Sequence, residues 1–156
     1  MSQEQLSTLA ALPFYAAGRY PKSDCLRWCR ENEIVEFSSR EFFDRVRDLS
    51  FGLRVLDVEA EDRVAIISEP RPDWLTTDFA VLANGAVSVP IYPTLPSSQV
   101  AYILADSGAK VVVVGAARSG IAAARLLVDR VAHVVLTERR QEVDQSVIGL
   151  RDLGVE

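Results

Sequence analysis

The residues best placed for chemistry are a glycine-rich turn, Gly115-Ala116-Ala117-Arg118-Ser119-Gly120, and a small set of soft ligands, Cys25, Cys29 and His133. A glycine-rich turn between a strand and a helix bares backbone amides at the positive end of the helix, so a phosphate oxygen can approach closely. By itself such a turn does not separate a nucleotide site from an ordinary strand-turn-helix connection. The two thiols and the single imidazole are too few for a structural zinc site. They read as two reduced cysteines on or near a strand, with no metal.

The elements that would position these residues follow from the hydrophobic pattern. Leu26 to Cys29 and Ile34 to Phe37 are β-prone runs separated by a polar stretch, the spacing of a small hairpin. Ser38-Ser39-Arg40-Glu41 is a capping box, in which the serine oxygen accepts from a free helix amide and the glutamate reaches back. Phe42, Val46, Leu49, Leu53 and Leu56 then lay an apolar stripe along one side of the helix that starts there.

Arg63 to Ile67 reads as a buried parallel strand. Pro72 suits a first helical turn and Gly85 a left-handed helix end, with Leu75, Phe79 and Leu82 on one face between them. Val87 to Tyr92 is a strand whose Pro90 suggests an edge position or a bend where the strand leaves the sheet, and Ser97 and Ser98 offer a cap to a helix stopping at Ser107-Gly108. Lys110 to Val114 is a further strand, Ile121 to Arg130 an alanine-rich helix, Ala132 to Thr137 a strand and Val147 to Leu153 the start of another helix. Strands alternating with helices demand right-handed crossovers, which gives an α/β fold: a partial doubly wound parallel sheet with flanking helices, preceded by the β-hairpin.

The bulk properties narrow the partners. A chain of 156 residues is long enough for one ordinary domain, and its 49% hydrophobic and 25% charged content is that of a globular protein. A net charge of -5, with basic residues scattered among acidic ones, offers no positive face to nucleic acid. No apolar run approaches the roughly 20 residues that span a bilayer. Leu6 to Ala17 is mildly apolar but follows Glu4 and no basic residue, unlike a signal peptide, so a cytoplasmic location is expected.

Several blocks carry a resemblance to a known family. Glu61-Asp62-Arg63-Val64-Ala65-Ile66, Pro72-Asp73-Trp74, Phe79 to Val87, Val89-Pro90-Ile91-Tyr92-Pro93-Thr94 and Tyr102 to Val112 resemble, in order, the amino-terminal region of the AMP-forming acyl-CoA synthetases, most closely the long-chain fatty acid group. The resemblance covers residues 1–114. It implies a family in which ATP and a fatty acid give an acyl-adenylate that coenzyme A converts to a thioester, with magnesium as a further cofactor. That reaction requires a Ser/Thr/Gly-rich loop ending in Lys to hold the triphosphate, and the sequence contains none. ATP, magnesium and coenzyme A are therefore implied for the full-length family alone, and the matching blocks transfer no catalytic residue. Within them Trp74, Phe79 and Tyr92 are expected to pack, the alternative being that Trp74 or Tyr92 lines an acyl tunnel once the enzyme is complete.

A second resemblance begins where the first ends. Val113 to Leu127, with Ala132-His133-Val134-Val135-Leu136-Thr137-Glu138-Arg139-Arg140, is similar to the start of the Mur ligases that add D-glutamate to UDP-N-acetylmuramoylalanine, and residues 115–156 are assigned to it. The resemblance implies a Rossmann-like β-α-β unit holding a uridine nucleotide: Gly115, Ser119 and Gly120 would meet the pyrophosphate and Glu138 the nucleoside. Ala117 stands where that turn usually has glycine, and Val131 where a helix-ending glycine is expected, a strain of roughly 1 kcal/mol for a left-handed cap. The expectation is a truncated or chimeric fragment of a fatty-acid-activating ligase, inactive alone and needing a complementing ligase chain. The alternatives are a UDP-sugar-binding module and a non-catalytic rearrangement product or subunit. Fatty acid or UDP-sugar would bind only where the site is completed.

Overall fold

A computed structural model describes residues 6–30, 33–115 and 133–137. A 3-10 turn, Leu9–Ala11, leads into α1 (Leu12–Arg19), followed by β1 (Leu26–Arg30), β2 (Glu33–Phe37) and α2 (Ser39–Val55). The remaining elements are β3 (Arg63–Ile67), α3 (Pro72–Ala83), β4 (Val87–Ile91), α4 (Ser97–Ser107), β5 (Val111–Gly115) and β6 (His133–Thr137). β1 and β2 form the expected antiparallel hairpin, with Trp28 opposite Val35. The other strands form one parallel sheet in the order β4-β3-β5-β6.

The period of two along the central strands divides the core between the faces. Val64, Val111 and Val113 point to the side covered by Leu53 of α2 and by Ala80 and Val81 of α3. Ala65, Ile67, Val112 and Val114 point to the other side, where Leu104 of α4 covers them together with Ile91. Because β3 and β5 carry helices on both faces, they read as continuous apolar runs rather than alternating ones. The edge position expected of the Pro90 strand is observed, for β4 ends the sheet.

Local signals hold the helices in register. The Glu41 amide donates to Ser38 Oγ at 3.1 Å and the Ser38 amide donates to Glu41 Oε2 at 2.7 Å, so the capping box is closed. Gly85, at φ +71°, ends α3 in a Schellman pattern: its amide donates to Leu82 O and the Ala86 amide to Val81 O. Phe42 and Val46 of α2 meet Phe79 of α3, with Leu26, Leu75 and Leu82 against them. The Phe42 and Phe79 rings lie 5.8 Å apart, edge to face. Two arginines pin the hairpin to this pair of helices, Arg45 over Phe37 at 4.5 Å and Arg71 over Trp28 at 5.0 Å.

Two expectations change, and one segment assigned no element from the sequence forms a helix. Ser97 and Ser98 do not cap α4: Pro96 is the N-cap, no side chain bonds the free amides, and Ser97 is already helical. The mildly apolar stretch near the amino terminus forms α1, whose Phe14 meets Phe43 of α2 at 5.1 Å. Tyr92 does not pack in a core, being 76% exposed, whereas Phe79 is buried. The helices expected over 121–130 and 147–153 lie outside the described residues.

Candidate functional site

β4 and β5 flank β3 on opposite sides, so α3 leaves β3 in one direction and α4 returns across it in the other. In an open α/β sheet this reversal leaves a crevice outside the carboxyl ends of the strands, the usual place for a ligand. Here the crevice lies between the end of β3, followed by Ser68, and the end of β5 at Gly115. Ile67 pairs with Val114, which brings Ser68 beside Gly115. A Cβ on Gly115 would stand 2.6 Å from Ser68 Oγ and 3.1 Å from Ser68 Cβ. Close packing of two strand ends thus accounts for a glycine at 115, independently of any phosphate.

Next to this point is a cavity of about 420 Å³ at the carboxyl ends of β3 and β4. Trp74 from the first turn of α3 and Ile91 and Tyr92 from the end of β4 line it. Pro70, Pro90 and Pro93 supply further wall, and Ser68 lines it as well. Among the described residues, none that line it is charged. The Ser68 hydroxyl donates to Glu69 O at 3.1 Å, which leaves its lone pairs as acceptors.

Charge gathers at the opposite end of the sheet. Lys110, just before β5, donates through Nζ to Asp57 O and to Asp62 Oδ2, the latter at 3.1 Å. The Glu59 amide and then the Lys110 ammonium hold the Asp62 carboxyl below the usual carboxylate range. Lys110 is raised above an ordinary lysine chiefly by its hydrogen bond to Asp62. This cluster ties the turns that precede β3 and β5, and it does so away from the crevice.

Of the four residues expected to hold a nucleotide, Gly115 sits at the switch point, while Ser119, Gly120 and Glu138 lie outside the described residues. Cys25 is half-buried and Cys29 exposed, both as free thiols. Among the described residues no group of three His, Cys, Asp or Glu side chains could hold a metal ion, and no helix is long and apolar enough to cross a membrane. Trp74 and Tyr92, considered in the sequence as alternatives for one wall, line the same cavity. Ser68 and Pro70 were not singled out there. The available signal was positional, since both follow directly on a buried strand.

The fold is a parallel sheet flanked by helices, with a small antiparallel hairpin, and the crevice lies at the carboxyl ends of its strands. The AMP-binding enzyme family matches residues 14–152, and the chain belongs to that family. The long-chain-fatty-acid--CoA ligase FadD15 of Mycobacterium bovis is 47% identical over 77 residues, 49% of this chain and 13% of that protein. The chain therefore spans about an eighth of the length of that relative. Two solved structures share the fold: the anthranilate CoA ligase AuaEII in complex with anthranoyl-AMP (TM-score 0.69, 18% identity, 82% of this chain and 24% of that one) and the fatty acid AMP ligase of Legionella pneumophila (TM-score 0.63, 17% identity, 70% and 20%).

Proposed function

We propose that this chain is the amino-terminal scaffold of a cytoplasmic AMP-forming acyl-CoA ligase, which activates a fatty acid only when the rest of the enzyme is supplied, on the same polypeptide or by a complementing chain. The observation that carries this reading is the 47% identity to FadD15 over 77 residues. Yet the 156-residue sequence contains no Ser/Thr/Gly-rich stretch ending in Lys of the kind that grips a triphosphate. ATP, magnesium and coenzyme A belong to the completed enzyme. The test is pyrophosphate release from ATP with palmitate and coenzyme A. None is expected from the chain alone, and turnover should follow on mixing it with a polypeptide carrying the remainder of FadD15. Turnover by the chain alone would reveal a phosphate site within it; failure of the mixture to turn over would remove the scaffold reading.

A second reading rests on where Gly115 lies. A strand ending in glycine at the switch point is where a dinucleotide or UDP-sugar is expected, and residues 115–156 would then act as the nucleotide-binding unit, with Ser119, Gly120 and Glu138 as its other contacts. Residues 115–152 fall within the AMP-binding match, which supports reading them instead as a continuation of one sheet, with β6 paired to β5. Titration with UDP separates the two. Saturable binding abolished by Gly120→Trp supports the nucleotide unit, and no binding supports the continuous sheet.

A further inference from the structure

We propose that the cavity at the carboxyl ends of β3 and β4 binds a small uncharged aromatic ring, in the absence of ATP and coenzyme A. This goes beyond the ligase reading, and either could fail without the other. Volume, chemistry and rigidity support it. About 420 Å³ lies within the range of small-molecule pockets. Among the described residues the lining offers no cation to a phosphate or carboxylate, which favours a neutral occupant.

The walls decide between a ring and a flexible chain. Pro70, Pro90 and Pro93 have locked backbones and no freely rotating side chains, and Trp74 and Tyr92 contribute an indole and a phenol ring to the lining. An alkyl chain entering such a slot must freeze its own rotors, whereas a ring has none to freeze and gains offset or edge contacts with the indole and phenol. Ser68, with free lone pairs beside the cavity, can accept from one hydroxyl or amine on that ring.

The test compares 4-methylphenol with 1-heptanol, two neutral alcohols of equal heavy-atom number, by titration of the ¹⁵N-labelled chain. The expected result is saturable shifts at the Ser68 and Ile91 amides and the Trp74 indole N–H. The ring should bind roughly five- to tenfold more tightly than the chain, the factor that ring contacts add beyond area burial. Tyr92→Ala should weaken the phenol by about fivefold, since it removes one such ring contact. Its thermal midpoint should not change, because Tyr92 is largely exposed. Trp74→Leu should bring the two alcohols to similar affinity. Equal or tighter binding of 1-heptanol by the parent chain, shifts that saturate elsewhere, or a Tyr92→Ala variant with unaltered phenol affinity would each overturn the proposal.

Discussion

Replacing Gly115 by alanine tests whether the strand ends at the switch point are as tightly packed as their geometry requires. The new Cβ would lie 2.6 Å from Ser68 Oγ, 3.1 Å from Ser68 Cβ and 3.7 Å from Ser68 Cα. The hydroxyl could rotate away, but that gives up its bond to Glu69 O, a net loss of about 0.5–1.5 kcal/mol. No rotation moves the Ser68 Cβ, so the strands must also separate by a few tenths of an ångström. Overpacking of this kind costs about 1–3 kcal/mol, offset by the roughly 0.5–1 kcal/mol that alanine gains over glycine inside a strand. The expected net destabilisation is about 0.5–4 kcal/mol, centred near 2, and each kcal/mol lowers the thermal midpoint by roughly 2–4 °C for a chain of this size.

Urea unfolding of four proteins measures the effect: the parent, Gly115→Ala, Ser68→Gly and the double variant, with equal slopes confirming a common unfolded state. Ser68→Gly removes both offending atoms, so Gly115→Ala should cost little or nothing in that background, a coupling of about 1 kcal/mol or more. A Gly115→Ala protein as stable as the parent, or one equally destabilised with and without Ser68, would refute the packing account. The glycine would then need another explanation, and close approach of a phosphate would be the first to examine.

Three further outcomes follow from the same structure. Ser38→Ala opens the capping box and should lower stability by about 1 kcal/mol in urea unfolding, with loss of α2 amide protection confined to its first turn. Gly85→Ala puts a side chain at φ +71° and 3.3 Å from Ala60 Cβ, and should cost about 1–2 kcal/mol by thermal unfolding. For Asp62 the pH dependence has a definite sign. Its carboxyl is lowered by the Glu59 amide and by Lys110, so its stabilisation is complete above the ordinary carboxylate pKa and is lost as pH falls through the lower folded value. Midpoint against pH should therefore decline less on the acid side for Asp62→Asn than for the parent, and identical acid limbs would contradict it. Lys110 acts in the opposite sense, its contribution being lost only as pH rises through its raised value.

Hairpin, capped helix, central strands and edge strand were all legible in the sequence, because each rests on a signal contained in a few neighbouring residues. Ser38 and Glu41 close a hydrogen-bonded ring three positions apart, and Pro90 cannot donate to a second neighbour. Signals of tertiary origin were not legible. α1 carries Pro13 in its first turn but gains its packing support from Phe43, far along the chain. Ser97 and Ser98 look like caps, but α4 begins directly after Pro96, so both serines fall inside the helix. The exposure of Tyr92 follows from where β4 leaves the sheet, which its own neighbours do not encode.

The division is the same at the site. The order of apolar runs, turns and caps determined an alternating parallel architecture, and the sequence contains no Ser/Thr/Gly-rich stretch ending in Lys, since both depend on residue type and short-range spacing. Which strand lies beside which is a property of the folded sheet. Only the placement of β4 and β5 on either side of β3 brought Ser68 against Gly115, and set Trp74 and Tyr92 around one apolar cavity, because side chains that are distant in sequence meet only when helices cover both faces of the sheet.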